Sequence, residues 1–421
     1  MNDNDDSNKG AFEYKGTDND MQANLNIPKD VVYVRFHSSV TSVITNHWTD
    51  DYAFKGCTQL KEVVLNEGLK TIDLRAFLGC TSLESITFPS TLTYINMEAF
   101  KSCINLRDIV FNEGLQRIDR AAFIDCGSLQ SITLPSTLTE VPIESFSNCC
   151  NLNSITFPPT LRKIYDGAFY DCSSLREVVI NEGLEEITRG AFWRCTSLQS
   201  ITLPSTLTEI DRETFRDCHK LEKVVLSEGP KKIGLYAFRG CSSLQSITLP
   251  STIIEICRFA FLECNRLREV EFHEGIQKIS SNAFNRCLAL ERLSFSGLSL
   301  RIEAIIKAGH TEIRNKIDTA RIGIGGRAAW VQWEDGEIFI PRSALTGNNW
   351  EAAIRQNLGR MKRLIEYYEI KEATSLFELA LWKANIDRAE SSIPINRDAC
   401  RIEVPGPVKD TILQYLIITY L

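Results

Sequence analysis

This chain of 421 residues lacks both long apolar runs and a net positive charge, since it has 47 Lys and Arg against 54 Asp and Glu. No run of about 18 apolar residues occurs, so the sequence predicts no complete membrane span. The net charge of −7 gives no general attraction for nucleic acid or for an anionic membrane. The first residues, MNDNDDSNKG, are acidic and lack the apolar segment of a secretory signal. The sequence therefore predicts a cytoplasmic protein with no nucleic-acid partner.

Histidine is also scarce: the chain has five, and none stands at a metal-binding spacing from another histidine or from a cysteine. His219 follows Cys218 directly, which permits a formal Cys/His dyad, but a surface residue in a repeat loop is the favoured interpretation. The glycine-rich stretch at 323–327 lacks the lysine of a phosphate-binding loop and follows a predicted helix. We expect no catalytic residue, no metal and no cofactor.

What the chain has in abundance is internal repetition. Eleven cysteines recur every 23 residues, each with a phenylalanine three positions before it and a leucine three positions after it. A fixed period in this range is typical of a solenoid, in which each repeat packs on its neighbours. The repeat cysteines are Cys57, Cys80, Cys103, Cys126, Cys149, Cys172, Cys195, Cys218, Cys241, Cys264 and Cys287.

Each repeat predicts one short strand. Counting from the cysteine, positions +6 and +8 are apolar and alternate with mostly polar positions +5 and +7, which is the period of a strand with one buried face. The turn that follows is usually Asn-Glu-Gly-Leu or Pro-Ser-Thr-Leu, and the two forms mostly alternate. Glycine permits a positive φ there, and proline ends the strand. The Phe-x-x-Cys segment is predicted to be a short helix or 3₁₀ turn with Phe and Cys facing inward.

Two places depart from the regular repeat. The first repeat carries extra residues around TNHWTDDY before Phe54, as expected of a unit that caps the exposed end of a solenoid. The turn Ser227–Pro230 has proline where the other turns have leucine or isoleucine. We expect a lost packing position there and an irregular turn over 227–233.

The repeat cysteines account for most of the 14 cysteines in the chain. In a solenoid they would form one column at about 4.8 Å spacing, the separation of neighbouring strands. A parallel column seldom orients its Cβ atoms for disulfide bonds, so the favoured interpretation is a ladder of small buried apolar residues. A disulfide framework is the alternative.

The pattern L-x-x-I-x-L-P/N-x-x-L-x-x-I-x-x-x-A-F-x-x-C, which covers Val31–Phe295, resembles the BspA-like leucine-rich repeats. That family is best known from bacterial surface antigens and is expanded in protists and diatoms. The resemblance implies a right-handed leucine-rich-repeat solenoid whose members bind proteins or other surface ligands and do not catalyse reactions. The tail from Met361 to Leu416 is similar to the helical ends of diatom-type members.

The sequence suggests three regions. Residues 1–26 are polar and acidic and are expected to be a disordered tail. The solenoid is expected over 27–297, with an irregular capping repeat at 31–53 and eleven Phe-x-x-Cys units at 54–297. Residues 298–421 are expected to form a small, mainly helical α+β domain with a hairpin near 328–341. We expect its first helix, Leu298–Asp318, to pack across the last repeat as a cap.

The predicted solvent-facing side of the strands is the candidate binding surface. It consists of positions +5 and +7, and no set of acid, base and nucleophile converges on it. The alternative is that Ser and Thr merely suit an exposed sheet. The candidate residues are Glu62, Ser85, Asp108, Ser131, Ser154, Glu177, Ser200, Lys223, Ser246, Glu269 and Arg292 at +5, and Thr87, Thr133, Thr156, Thr202 and Thr248 at +7.

The sequence therefore favours a non-catalytic scaffold whose repeat surface binds a protein or a repetitive polymer. The alternative function is a small enzyme or nucleotide-binding module in the C-terminal domain, carried on the solenoid. Composition and spacing do not identify the partner or the oligomeric state.

Overall fold

The computed structural model describes residues 11–15, 27–43, 52–273, 275–280, 282–295, 332–334, 337–341 and 362–369. The chain divides into two compact regions, Met1–Arg292 and Leu293–Leu421. Almost every element in the described residues is a short strand, and helix occurs there only at 362–369.

In the repeats a strand of three or four residues usually alternates along the chain with a strand of two residues. In chain order they are β1 Ala11–Tyr14, β2 Tyr33–Phe36, β3 Ser42–Val43, β4 Glu62–Val64, β5 Thr71–Ile72, β6 Ser85–Thr87, β7 Tyr94–Ile95, β8 Asp108–Val110, β9 Arg117–Ile118, β10 Ser131–Thr133, β11 Glu140–Val141, β12 Ser154–Thr156, β13 Lys163–Ile164, β14 Glu177–Val179, β15 Glu186–Ile187, β16 Ser200–Leu203, β17 Lys223–Leu226, β18 Lys232–Ile233, β19 Ser246–Thr248, β20 Glu255–Ile256, β21 Glu269–Phe272, β22 Lys278–Ile279, β23 Arg292–Phe295, β24 Gln332–Glu334 and β25 Glu337–Pro341.

The strands of the repeat region build two parallel ladders. We call each 23-residue repeat a unit. The first ladder takes a strand of three or four residues that begins at position +5 of each unit, and the second takes two residues at +14 and +15. Ser131 pairs with Ser154 in the first ladder, and Lys163 pairs with Glu186 in the second, so equivalent residues of neighbouring units meet. The prediction of a parallel β-solenoid is confirmed.

A column of phenylalanine rings runs through the core. From Phe54 to Phe284 each ring stacks on the next at centroid distances of 4.9–5.7 Å, with planes within 13° of parallel. The rings are 0–3% exposed. The stack forms because the repeat places identical side chains in register, and each buried ring contributes both apolar area and ring contacts.

The repeat cysteines form a second inward column. From Cys80 to Cys287, each Sγ donates a hydrogen bond of 3.1–3.4 Å to the phenylalanine carbonyl of the preceding unit. Burial raises the pKa of the Cys103 thiol to about 12, so the group stays protonated and can donate. Ten of the eleven repeat cysteines are buried and Cys287 is half-buried, so the prediction of buried packing residues is confirmed for Cys57 to Cys264. The hydrogen bond explains why cysteine suits the position better than alanine.

The Phe-x-x-Cys segment is not helical, so the prediction of a short helix or 3₁₀ turn is wrong. Two residues four positions apart take left-handed φ values, as at Arg75 (54°) and Gly79 (73°), which no helix of L-residues can continue. The N–H of Phe77 donates to Ala99 of the next unit at 2.8 Å, whereas the N–H of Leu78 donates back to Arg75 at 3.1 Å. The segment thus alternates local turns with bonds to its neighbour.

Most of these left-handed positions carry residues other than glycine. In the described part of the chain, sixteen such residues have φ between 53° and 64°, and several are glutamates. A non-glycine residue in this region is uncommon and strained. Its amide hydrogen bonds to the next unit hold the conformation in place. Hydrogen bonds between neighbouring units therefore outweigh the local preference of these residues for a right-handed backbone conformation.

Neighbouring turns of the two types are joined by side-chain hydrogen bonds. The Glu67 carboxylate of an Asn-Glu-Gly-Leu turn accepts a 2.8 Å hydrogen bond from the hydroxyl of Ser90 in the next Pro-Ser-Thr-Leu turn. Where two proline turns follow in succession, Thr160 instead donates to the carbonyl of Ser136 at 2.7 Å. The same carboxylate–serine contact recurs in Glu113–Ser136, Glu182–Ser205 and Glu228–Ser251.

Glycine in these turns has two different roles. Gly68 has φ of 114°, as the sequence suggested. Gly229 has no such φ, but a Cβ there would lie 2.1 Å from the Ser205 carbonyl oxygen. The backbone of one turn therefore passes against the backbone of the preceding turn, and glycine provides the space.

The segment Ser227–Pro230 is irregular, as predicted. It forms a bend, whereas the equivalent segments of the other repeats form hydrogen-bonded turns. The expected loss of a packing position is wrong, because Pro230 is buried. Proline fills the inward position that leucine fills elsewhere, such as Leu69. It has no N–H and cannot make the bond that Leu69 makes to the Asn66 carbonyl, so the turn opens.

The N-terminal region contains a strand where a disordered tail was expected. Ala11–Tyr14 pairs in parallel with Tyr33–Phe36, and the Tyr14 side chain is 2% exposed. The Tyr14 ring meets the Phe54 ring edge-on at 5.3 Å. The Tyr14 ring thus covers the first ring of the phenylalanine column. The apolar contact buries Tyr14 and holds a segment that is otherwise polar. The other residues of 1–26, apart from Lys15, lie outside the described part of the chain.

Besides the end of β23, the described residues of Leu293–Leu421 are a pair of strands and a short helix. Strands β24 and β25 pair antiparallel, with Trp333 opposite Ile338, inside the range 328–341 where a hairpin was predicted. Residues 362–369 are helical, and Ile365 and Tyr368 are 1% exposed. The predicted capping helix Leu298–Asp318 lies outside the described residues.

Candidate interaction surface

The first ladder exposes one continuous face, which we call the strand face: positions +5 and +7 of each unit. From β4 to β14 the burial pattern of every strand in this ladder is exposed, buried, exposed. The apolar residue at +6 anchors each strand, and its two neighbours must then point to the opposite side. All sixteen predicted surface residues lie on this face.

Parallel pairing brings the predicted residues into rows. Ser154 lies between Ser131 and Glu177, and Thr156 lies between Thr133 and Val179. Neighbouring strands in a sheet are about 4.8 Å apart, so side chains in a row can contact a ligand together. The sequence-predicted residues are therefore one surface and not scattered positions.

The strand face alternates in character from one unit to the next. Units with a Glu-Gly turn mostly carry valine at +7, whereas units with a proline turn carry threonine. Val110 is 56% exposed and Val179 is 60% exposed, which is unusual for large aliphatic side chains. Where the alternation is regular, exposed valines recur at about 9.6 Å, twice the strand spacing.

Charged side chains of both signs also lie on the strand face. Glu177 and Lys223 flank Ser200 at position +5. Towards the last units the charges pair with one another: Arg292 lies 3.2 Å from the Glu269 carboxylate. The face therefore has no single sign of charge to select a strongly charged ligand.

Sequence reasoning missed Tyr33 and Arg35, which extend the strand face at its N-terminal end. They occupy the places of Glu62 and Val64 in the preceding strand of the same sheet. Arg35 Nε donates to the Tyr33 hydroxyl at 3.3 Å, and this bond raises the pKa of the Arg35 guanidinium. The match of Val34 to Val63 was the signal that could have placed both residues. An aromatic side chain is thus present at the N-terminal end of the strand face.

The strand face is less exposed at its C-terminal end. Ser294, at position +7 of the last unit, is 8% exposed, although the sequence placed it on the open side. Arg292 and Glu269 are half-buried. The exposed part of the strand face therefore runs from β2 to about β19.

The formal Cys/His pair is not a dyad. Cys218 is buried and its Sγ donates to the Phe192 carbonyl at 3.2 Å. His219 Nδ1 lies 3.0 Å from the Gly240 carbonyl oxygen. Within the described residues no cluster of three or more potential metal ligands occurs. The glycine-rich stretch at 323–327 lies outside them.

The family model described as BspA type leucine rich repeat region matches residues 33–149, 139–253 and 231–305, in six copies. These ranges cover more than half of the chain, so the protein belongs to the BspA-type leucine-rich-repeat family. The family consists of repeat scaffolds, which agrees with a non-catalytic interaction role. No curated protein matches the chain.

Several solved structures are similar to the chain. A leucine-rich repeat protein from Bacteroides ovatus is 27% identical, with 63% of this chain and 79% of that chain covered and a TM-score of 0.49. A leucine rich cell surface protein from Faecalibacterium prausnitzii is 24% identical over 63% and 79% of the two chains, with a TM-score of 0.35. The pneumococcal vaccine antigen PcpA is 22% identical over 60% and 69%, with a TM-score of 0.39. In the described part of this chain, no helix has the length and apolarity needed to cross a membrane.

Proposed function

We propose that the chain is a non-catalytic scaffold and that the strand face binds an extended protein segment or a repetitive polymer. The main support is the in-register row of exposed valine and threonine side chains along parallel strands. Val110 and Val179 are more than half exposed. Solenoids commonly bind partners along such extended surfaces. Exposed apolar side chains in one row favour contact with another molecule over contact with water.

The pattern favours a partner with its own regular spacing. Apolar and hydroxyl side chains alternate along the array, so an extended ligand would meet a similar set of contacts at every second strand. Small side chains such as Ser131 and Thr133 leave the surface flat. Each contact would be weak, and affinity would come from their number.

The test uses paired arginine substitutions on the full chain. Thr133→Arg with Thr156→Arg places two large cations on adjacent strands in the middle of the strand face. Thr139→Arg is the matched control, because Thr139 is exposed but lies outside the strands of the first ladder, which form the strand face. The three proteins are compared by affinity capture from cells of origin after circular dichroism shows equal folding. A partner retained by the control and lost by the double variant supports the strand face, and equal retention by all three contradicts it.

The cytoplasmic location expected from the sequence belongs to the same proposal. Cys150 is an exposed thiol with no disulfide, which suits a reducing compartment. Cell fractionation with an antibody to the full chain tests it, and recovery at the cell surface would contradict it.

A further inference from the structure

A separate groove of 510 Å³ lies on the turn segments of the middle units. Its size is within the range of small-molecule sites, roughly 300–1,000 Å³. It is open to solvent and belongs to a different part of each unit from the strand face. The groove is lined by Arg120, Ile143, Glu144, Ser147, Asp166, Gly167, Tyr170, Arg189, Gly190 and Trp193.

Two glycines create the groove. Gly167 and Gly190 occupy the left-handed position at +18, where the flanking units have Glu144 and Glu213. These glutamates adopt φ of 54° and 60°, so the backbone does not require glycine here. A Cβ on Gly167 would meet only ordinary contacts at 3.6 Å or more, so packing does not require it either. What the glycines provide is the absence of two side chains, which leaves the groove open.

Two aromatic rings border the opening. The Tyr170 and Trp193 rings are 5.1 Å apart and perpendicular, at 83°. Trp193 is fixed from other directions, because its Nε1 donates to Asp217 at 3.2 Å and the Arg216 guanidinium lies 4.3 Å from its ring. Both rings are half-buried, so each keeps part of its surface in water. A fixed, partly exposed aromatic wall suits a ligand with an apolar face and polar edges.

The charges around the groove are balanced. Arg120 lies 3.0 Å from the Glu144 carboxylate, and Arg189 lies 3.1 Å from Glu213. Asp166 accepts a hydrogen bond from Thr188. An anionic ligand would meet the carboxylates, and a cationic one would meet the two guanidinium groups. A neutral ligand avoids both costs and can still use these groups as hydrogen-bond donors and acceptors.

We propose that this groove binds a neutral saccharide unit. A sugar ring has C–H groups on its faces and hydroxyls at its edge. The C–H face would pack on one of the two perpendicular rings, Tyr170 or Trp193, and the other ring would border its edge. Adjacent hydroxyls would pair with the planar carboxylates and guanidinium groups, which can make two hydrogen bonds at once. The site is independent of the strand face, and either proposal can fail without the other.

Titration calorimetry on the full chain tests the proposal with neutral oligosaccharides: hexamers of β-1,4-linked glucose, β-1,3-linked glucose and α-1,6-linked mannose. Oligogalacturonate and a chitosan oligomer serve as anionic and cationic comparators. We expect at least one neutral hexamer to bind more tightly than both charged probes. No binding by any neutral hexamer at millimolar concentration, or tighter binding by a charged probe, would overturn the proposal.

Two variants locate the binding. Gly167→Gln adds a neutral side chain of the length that Glu144 carries at the same position, and Tyr170→Leu removes a ring. Each should weaken binding by about tenfold or more, and tenfold is about 1.4 kcal/mol. Asn282→Gln is the matched control, because Asn282 has the same left-handed conformation several units away. It should bind as the wild type does, as should the strand-face pair Thr133→Arg with Thr156→Arg. Wild-type affinity in Gly167→Gln would contradict the proposed site.

Discussion

The phenylalanine column makes a large, local prediction at Phe169. Its ring is fully buried, stacks on Phe146 at 5.7 Å and on Phe192 at 5.4 Å, and meets Phe157 edge-on at 5.7 Å. Phe169→Ala removes these contacts and leaves a cavity between units whose spacing is fixed by hydrogen bonds on both sides. Collapse is therefore limited, and the loss should be about 3–5 kcal/mol, the range for buried phenylalanine.

Phe169→Leu is the matched control. Leucine retains most of the buried volume but none of the ring contacts, so it should cost less, about 1–2 kcal/mol. Urea denaturation followed by far-ultraviolet circular dichroism gives both values, and amide exchange near Phe146 and Phe192 reports local opening. An unchanged midpoint in Phe169→Ala, or an equal loss in both variants, would refute the stacked core.

Three further predictions follow from the turns, the thiols and a buried carboxylate. Gly229→Ala should destabilise the chain by about 1–3 kcal/mol in thermal denaturation, because its Cβ would overlap the preceding turn, whereas Gly127→Ala, with open space around it, should be close to neutral. Iodoacetamide should modify the exposed Cys150 in the native protein but leave the buried Cys103 unmodified until unfolding, as judged by peptide mass spectrometry; early labelling of Cys103 would contradict this. Burial opposes ionisation of Glu213, yet its bonds to three arginines hold its pKa below the ordinary value, so Glu213→Gln should lower the melting temperature at neutral pH and lose this effect as pH falls below about 4. A pH-independent loss would contradict it.

The repeated core could be predicted from the sequence because it depends on period alone. Phe169 and Cys172 are buried for the same reason as their equivalents in every unit, and one apolar pattern places them all. The strand face followed from the same pattern, since a buried +6 residue fixes where its neighbours point. Tyr33 was missed because the first repeat has extra residues before Phe54, so its strand positions cannot be counted from a repeat cysteine.

The features that escaped prediction depend on contacts between units. Arg75 takes a left-handed φ because amide bonds to the next unit outweigh its local preference for a helical turn. Tyr14 lies in a polar stretch whose composition predicts disorder, yet one buried ring and four paired residues are enough to form a strand. The groove at Gly167 and Trp193 depends on two positions that vary from unit to unit, so no repeated pattern marks it.

The most direct test of the strand face is hydroxyl-radical footprinting of the full chain with and without its captured partner. Val110 and Val179 are exposed on the strand face, whereas Ile104 and Leu288, at 48% and 68% exposed, lie outside it. All four side chains should react in the free protein. In the complex, Val110 and Val179 should be protected while Ile104 and Leu288 keep their reactivity. Unchanged oxidation of the two valines, with protection elsewhere, would contradict binding through the strand face.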